Sequence, residues 1–163
     1  MKNDLYLQFE KEMAELLASK ENNISTYSSE KSPVTEEEVF QLIDKYEGAE
    51  VTVLATGVSH SLVNGGVNSF ATNKTAMKTL ANTYTNNANI AVAGGTLVGL
   101  PLGVFGALVA AFSSGALASK FTNAANIMNS WYSSSATQGG VRLTLTETFA
   151  ISSASSTAKA TIP

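Results

Sequence analysis

Apolar residues Leu5, Phe9, Met13, Leu16 and Leu17 recur at spacings of three and four, with Glu10, Lys11, Glu15 and Lys20 between them. That period puts one apolar stripe on a helix from about residue 4 to about 20, and the stripe needs a partner. The polar, Asn- and Ser-rich stretch Asn22 to Ser32 reads as a linker. Pro33 then precedes Val34, Thr35 and Glu38, where Thr35 can cap the first turn of a helix and Glu38 can reach back to it. Val34 and Val39 stand at the positions of a hydrophobic staple. A second helix is predicted from Glu36 to about Glu47, with Val39, Phe40, Ile43 and Tyr46 on one face and Gly48 at its end.

Residues 50 to 56, EVTVLAT, favour a short strand, and Gly57, Gly65 and Gly66 mark turns. Phe70, Met77, Leu80, Ala81 and Tyr84 return to helical spacing, as do Phe121, Ala125, Met128 and Tyr132. From Gly139-Gly140 onward Val141, Leu143, Leu145, Phe149 and Ile151 alternate with Arg142, Thr144, Thr146 and Thr148, and Glu147 interrupts the apolar face. This predicts a strand of about ten residues that must pair with the 50–56 strand or with another chain. Ser152 to Pro163 reads as a frayed end. The expected fold is mainly α with a minor β element. It consists of an amphipathic helical hairpin, a Gly/Ala-rich central helix or kinked helical hairpin, and a C-terminal strand paired near 50–56.

The central segment, Ile90 to Phe112, is IAVAGGTLVGLPLGVFGALVAAF, without a charge, an Asn or a Gln. As a helix it would be roughly 34 Å long, near the thickness of a bilayer's hydrocarbon. Ala91, Gly95, Gly99, Gly103, Ala107, Ala111, Gly115 and Ser119 follow at four-residue intervals, a row of small residues that lets two helix backbones approach closely. Pro101 takes away the hydrogen bond to the Leu97 carbonyl, so a kink or a break is expected there. Lys120, Trp131 and Tyr132 are residue types found at membrane interfaces, and equally at core edges.

Charge divides the chain in two. Residues 1–49 form an acidic, leader-like helical segment, and 50–163 a cationic, glycine-zipper region suited to membranes or self-association. Of thirteen acids, twelve lie in the first fifty positions against five lysines; beyond them Glu147 stands against Lys74, Lys78, Lys120, Arg142 and Lys159. No Lys, Arg, His, Asp or Glu occurs between Lys78 and Lys120. There is no cysteine, which excludes disulfides and thiolate chemistry. The single histidine, His60, reads as a solvated or turn residue, and Glu147 has no acid to pair with after residue 50. No catalytic, cofactor or metal site is expected, and five scattered cations are too few for a nucleic-acid surface. The start is too charged for a Sec-type signal, so export would take another route.

The helix over 34–47 followed by Gly48-Ala49 and a change to cationic, glycine-rich sequence resembles a bacteriocin-like precursor with a double-glycine-type leader. The resemblance covers about residues 34–49; Gly-Ala varies the usual Gly-Gly, and Leu42 stands where the family often has an acid. It implies processing at Gly48-Ala49 and recognition of Phe40, Ile43 and Tyr46 by an export peptidase-transporter. The mature part would then be a secreted or membrane-associated oligomer that permeabilises lipid. Two alternatives use the same features: a structural protein assembled through the small-residue row and the C-terminal strand, or a resident small membrane protein.

Overall fold

The computed structural model describes residues 1–23, 35–53, 56–93, 99, 108–109, 112, 114–152 and 155–163. Among these, helices α1 (Asp4–Asn23) and α2 (Glu36–Lys45) precede strands β1 (Glu50–Val53), β2 (Val58–Val63) and β3 (Gly66–Ala71). Helices α3 (Lys74–Ala93) and α4 (Ser114–Ser133) follow, then β4 (Gly139–Thr144), β5 (Thr148–Ser152) and β6 (Ser155–Lys159). All six strands join one antiparallel sheet in chain order, β1 to β6.

The expectation of a minor β element is therefore corrected: the sheet is the platform on which the helices rest. The predicted pairing is corrected too, since β1 pairs with β2 and the C-terminal β4 pairs with β3, leaving two strands between them. The missing strands come from the 57–71 region. Gly57 and Gly65 take φ of +73° and +79°, conformations that suit glycine, and Asn64-Gly65 closes the two-residue β2–β3 turn. The amide of Gly65 donates to Asp44 Oδ1 at 2.6 Å, docking that turn on α2.

The predicted ten-residue C-terminal strand is instead a hairpin. Thr144 closes it: its amide and hydroxyl donate to the Glu147 carbonyl at 2.9 and 2.7 Å, and its hydroxyl accepts from the Glu147 amide. Glu147, the interruption in the pattern, is the turn. Past it the chain does not fray, because β6 pairs with β5 and the Ala160 amide donates to Ala150.

Direct partners across an antiparallel pair share a face of the sheet. One face carries Val51, Val58, His60, Leu62, Val67, Ser69, Ala71, Val141 and Leu143, all buried under helices. The opposite face carries Asn68, Phe70, Arg142 and Phe149. At full burial each large apolar side chain is worth about 1.5–3 kcal/mol, so the helix-covered face dominates the fold's stability.

The N-terminal region belongs to the same body. Lys2 bridges to Val51, and Asn3 exchanges backbone and side-chain hydrogen bonds with Gly48 and Glu50. Asn3 Oδ1 also accepts from the Tyr6 amide at 2.9 Å, capping α1. The capping box at Thr35 and Glu38 forms as its spacing predicts.

Candidate functional site

Helices α3 and α4 pack antiparallel. Lys74, at the start of α3, donates to the carbonyls of Trp131, Tyr132 and Ser134 at the end of α4, and Tyr84 lies against Phe121 with ring centroids 5.6 Å apart. A cation on the last carbonyls of a helix meets the negative end of its dipole. Asn73 caps α3 by accepting from the Ala76 amide at 2.7 Å. The buried stripe of α3 is Met77, Leu80, Ala81, Tyr84, Ala88 and Ala91, and α4 answers with Leu117, Phe121, Ala124, Ala125, Met128 and Trp131.

Two fitted joints seat this hairpin on the sheet. At the first, the Trp131 indole lies over Gly139 and donates to the Gly140 carbonyl at 2.9 Å. A Cβ at Gly139 would stand 2.5 Å from the indole ring, so glycine is needed for this close approach. At the second, His60 Nδ1 is 2.8 Å from Ser69 Oγ, and Ser69 Oγ is 2.5 Å from the Tyr84 hydroxyl. Burial pulls the His60 pKa down to about 4 and pushes the Tyr84 phenol well above its ordinary value. His60 and Ser69 have the atoms of a nucleophile and a base. Both are sealed in the core, His60 at 2% exposure and Ser69 at 0%. The expectation of a solvated His60 is corrected: the ring faces inward because residues 58, 60 and 62 share the covered face of β2.

The other expected site residues fall as follows. Phe40 and Ile43 are buried, Phe40 against Phe112, and Tyr46 packs edge-on to Phe9. Ala49 is fully buried; Gly48 has φ +98°, and its amide donates to Leu62. Of the small-residue row, Ala91 is buried in α3, while Gly115 and Ser119 lie exposed on α4. Gly99 has φ +77° and α3 ends at Ala93, so no unbroken helix runs from Ile90 to Phe112. Gly95, Gly103, Ala107 and Ala111 lie outside the described residues, as does Pro101. Trp131 sits in the core and Tyr132 on the surface, 42% exposed. Lys120 donates to the carbonyls of Thr144 and Leu145 at the β4–β5 turn; burial lowers its pKa, with Glu36 acting in the opposite sense.

These contacts change the meaning of the cationic half. Lys74 and Lys120 hold backbone carbonyls, Arg142 donates to Asn68 at 2.6 Å, and Lys159 pairs with Glu147 at 2.9 Å. Lys78 is turned outward, near Asn129 and over the Tyr132 ring. Four of the five cations thus serve the fold, while Asp4, Glu36, Glu37, Asp44, Glu47 and Glu50 stand exposed on the acidic half.

The architecture is a helical layer on one antiparallel sheet, with an α–α hairpin inserted between neighbouring strands β3 and β4. Comparison with protein-family models, with curated proteins and with solved structures finds no match to this chain. Among the described residues no helix is long and apolar enough to cross a membrane, and no group of three or more His, Asp or Glu is placed to hold a metal ion.

Proposed function

We propose that this is a non-enzymatic, membrane-active protein that works as one piece, with the α3–α4 hairpin delivering the segment between its helices to a lipid bilayer. One observation carries this reading. Because α3 and α4 are antiparallel, Ala93 and Ser114 lie at the same end of the hairpin, and the twenty residues 94–113 that join them contain no charge. Lipid entry by that stretch moves no ionised group into hydrocarbon, the costliest part of insertion. Val92, in the last turn of α3, is 69% exposed.

In this reading residues 1–49 are retained. Asn3 ties the start of the chain to Gly48 and Glu50, and Ala49 is buried, so a peptidase acting at Gly48-Ala49 must first unravel the β1 edge. Attraction to anionic lipid contributes little, because four of the five cations after residue 50 are engaged in the fold. Apolar burial is the driving force, at about 25 cal/mol per Å².

Intact protein mixed with dye-loaded vesicles is the test, at neutral and acidic pH. Dye release by the full-length chain, lowered at least tenfold in Leu102→Asp, is the expected result. No release and no co-sedimentation at either pH would sink the proposal. A second reading, self-assembly, is favoured by β6, which stands last in the strand order and leaves one edge for a second copy. Ordered oligomers in lipid-free buffer would support it.

A further inference from the structure

We propose that the His60–Ser69–Tyr84 joint is an acid-sensitive latch: when the His60 ring takes up a proton, α3 loosens from β2 and β3 and the α3–α4 hairpin comes away from the sheet.

The joint is a polar contact between two largely apolar layers; α3 also buries Asn87, whose side-chain amide donates to the Thr83 carbonyl. His60 and Ser69 are direct partners on β2 and β3, and Tyr84 reaches them from α3. Around them the covered face offers Val58, Leu62, Val67 and Ala71, and α3 offers Leu80, Ala81 and Ala88. A neutral imidazole suits these surroundings, and a charged one must give up its water shell to remain there. Among the described residues, Tyr84 is a titratable group that faces His60, through Ser69, and its raised pKa keeps it neutral across the acid range. The sheet-ward residues of α2 are Val39, Phe40 and Ile43, and Phe121 of α4 lies on Tyr84. The charges of those elements have other engagements: Asp44 binds the Gly65 amide, Lys45 binds Glu12, and Lys120 binds the β4–β5 turn.

The direction in pH follows from the seated ring titrating near 4 while a released, hydrated ring titrates near 6.5. Above pH 6.5 both are neutral and the latch has its full strength. As pH falls from 6.5 towards 4 the released form takes up a proton that the seated form refuses, and the balance shifts by up to roughly 300-fold; below 4 nothing further is lost. The hairpin yields before the sheet because hydrogen-bonded ladders hold the strands together, whereas side-chain contacts hold α3 to them. As a trigger for membrane delivery the latch rests on the function proposed above; as a property of the fold it does not.

His60 is the sole histidine and Trp131 the sole tryptophan, so each gives one signal. The ring-proton resonance of His60 in the folded protein should titrate far below 6.5. Between pH 6.5 and 4.5, the amide protection factors, each taken against the intrinsic exchange rate at that pH, should fall at least tenfold in α3 and α4 while those of β2–β4 hold, with the Trp131 emission moving to longer wavelength. His60→Gln should flatten that dependence, and the titration of the wild-type ring stands as evidence even if this variant folds poorly. A folded-state midpoint near 6.5 overturns the latch. So does loss of protection in sheet and hairpin together. Release in solution at pH 4.5 with neither dye leakage from vesicles nor co-sedimentation with them at neutral or acidic pH upholds the latch and overturns the membrane reading.

Discussion

The chain contains two helical pairs, and they are held in opposite ways. α1 and α2 meet partly through exposed charge, with Lys45 on Glu12 at 2.7 Å beside the buried Phe9 and Ile43. α3 and α4 meet through a buried seam of alanines, methionines and aromatics, and join the sheet through Gly139 and Ser69. The difference teaches that the charge of a segment says little about where its charges work. The acidic half displays its carboxylates, and the cationic half spends two of its four ammonium groups, Lys74 and Lys120, on backbone carbonyls.

The seam of the second pair should therefore be the more costly to break. Trp131→Ala removes a ring at 2% exposure and leaves the Gly140 carbonyl without its indole donor. The expected loss is about 3–5 kcal/mol in denaturant unfolding followed by circular dichroism. A loss under about 1 kcal/mol would mean that the hairpin is not seated on Gly139 as described.

Gly139→Ala approaches the same joint from the other side. Its new Cβ would lie 2.5–2.9 Å from three indole atoms, so ring or strand must shift, at a cost of about 1–3 kcal/mol. In the double variant with Trp131→Ala this cost should disappear, since the obstructing ring is gone. Additive losses would place the strain in the β4 backbone rather than against the ring.

That joint was hard to read from the sequence. Gly139-Gly140 looked like the opening of a strand, and nothing local says that an indole eight residues earlier folds over it. The α2 cap was legible because Thr35, Glu38 and their staple act within one turn. β2 and β3 left a local trace, the alternation of Val58, His60 and Leu62 before Asn64-Gly65 and of Val67, Ser69 and Ala71 after it. The polar His60 and Ser69 broke its apolar phase, and those two residues form the buried joint. The β4–β5 turn hid for the opposite reason: alternation ran through it, although Leu145 is 39% exposed at the bend.

For the first pair, the cap offers an effect of intermediate size. Thr35→Ala leaves the Glu38 amide without its side-chain acceptor and removes the hydroxyl's own bond to Glu38 Oε1, while the backbone amide of residue 35 can still donate to Glu38. A loss of about 1 kcal/mol is expected by the same unfolding assay, smaller than at Gly139 or Trp131. A Thr35→Ala loss as large as that of Trp131→Ala would erase the distinction between the two pairs.

The smallest effect should be at Lys45. Its ammonium, with Tyr46 as a second partner, holds the Glu12 carboxyl below the ordinary carboxylate range, and Glu12 in turn raises the Lys45 pKa. The pair therefore contributes above the ordinary carboxylate range, and its contribution is lost as pH falls through the lowered Glu12 pKa. Lys45 is exposed and Glu12 partly so beside an open groove, so solvent screens much of the attraction. Lys45→Gln should shift stability by less than Thr35→Ala, and the shift should vanish near 1 M salt, where screening acts within about 3 Å. An effect that survives salt would show that the contact between α1 and α2 is as dry as the one between α3 and α4, and the two pairs would then be held in the same way.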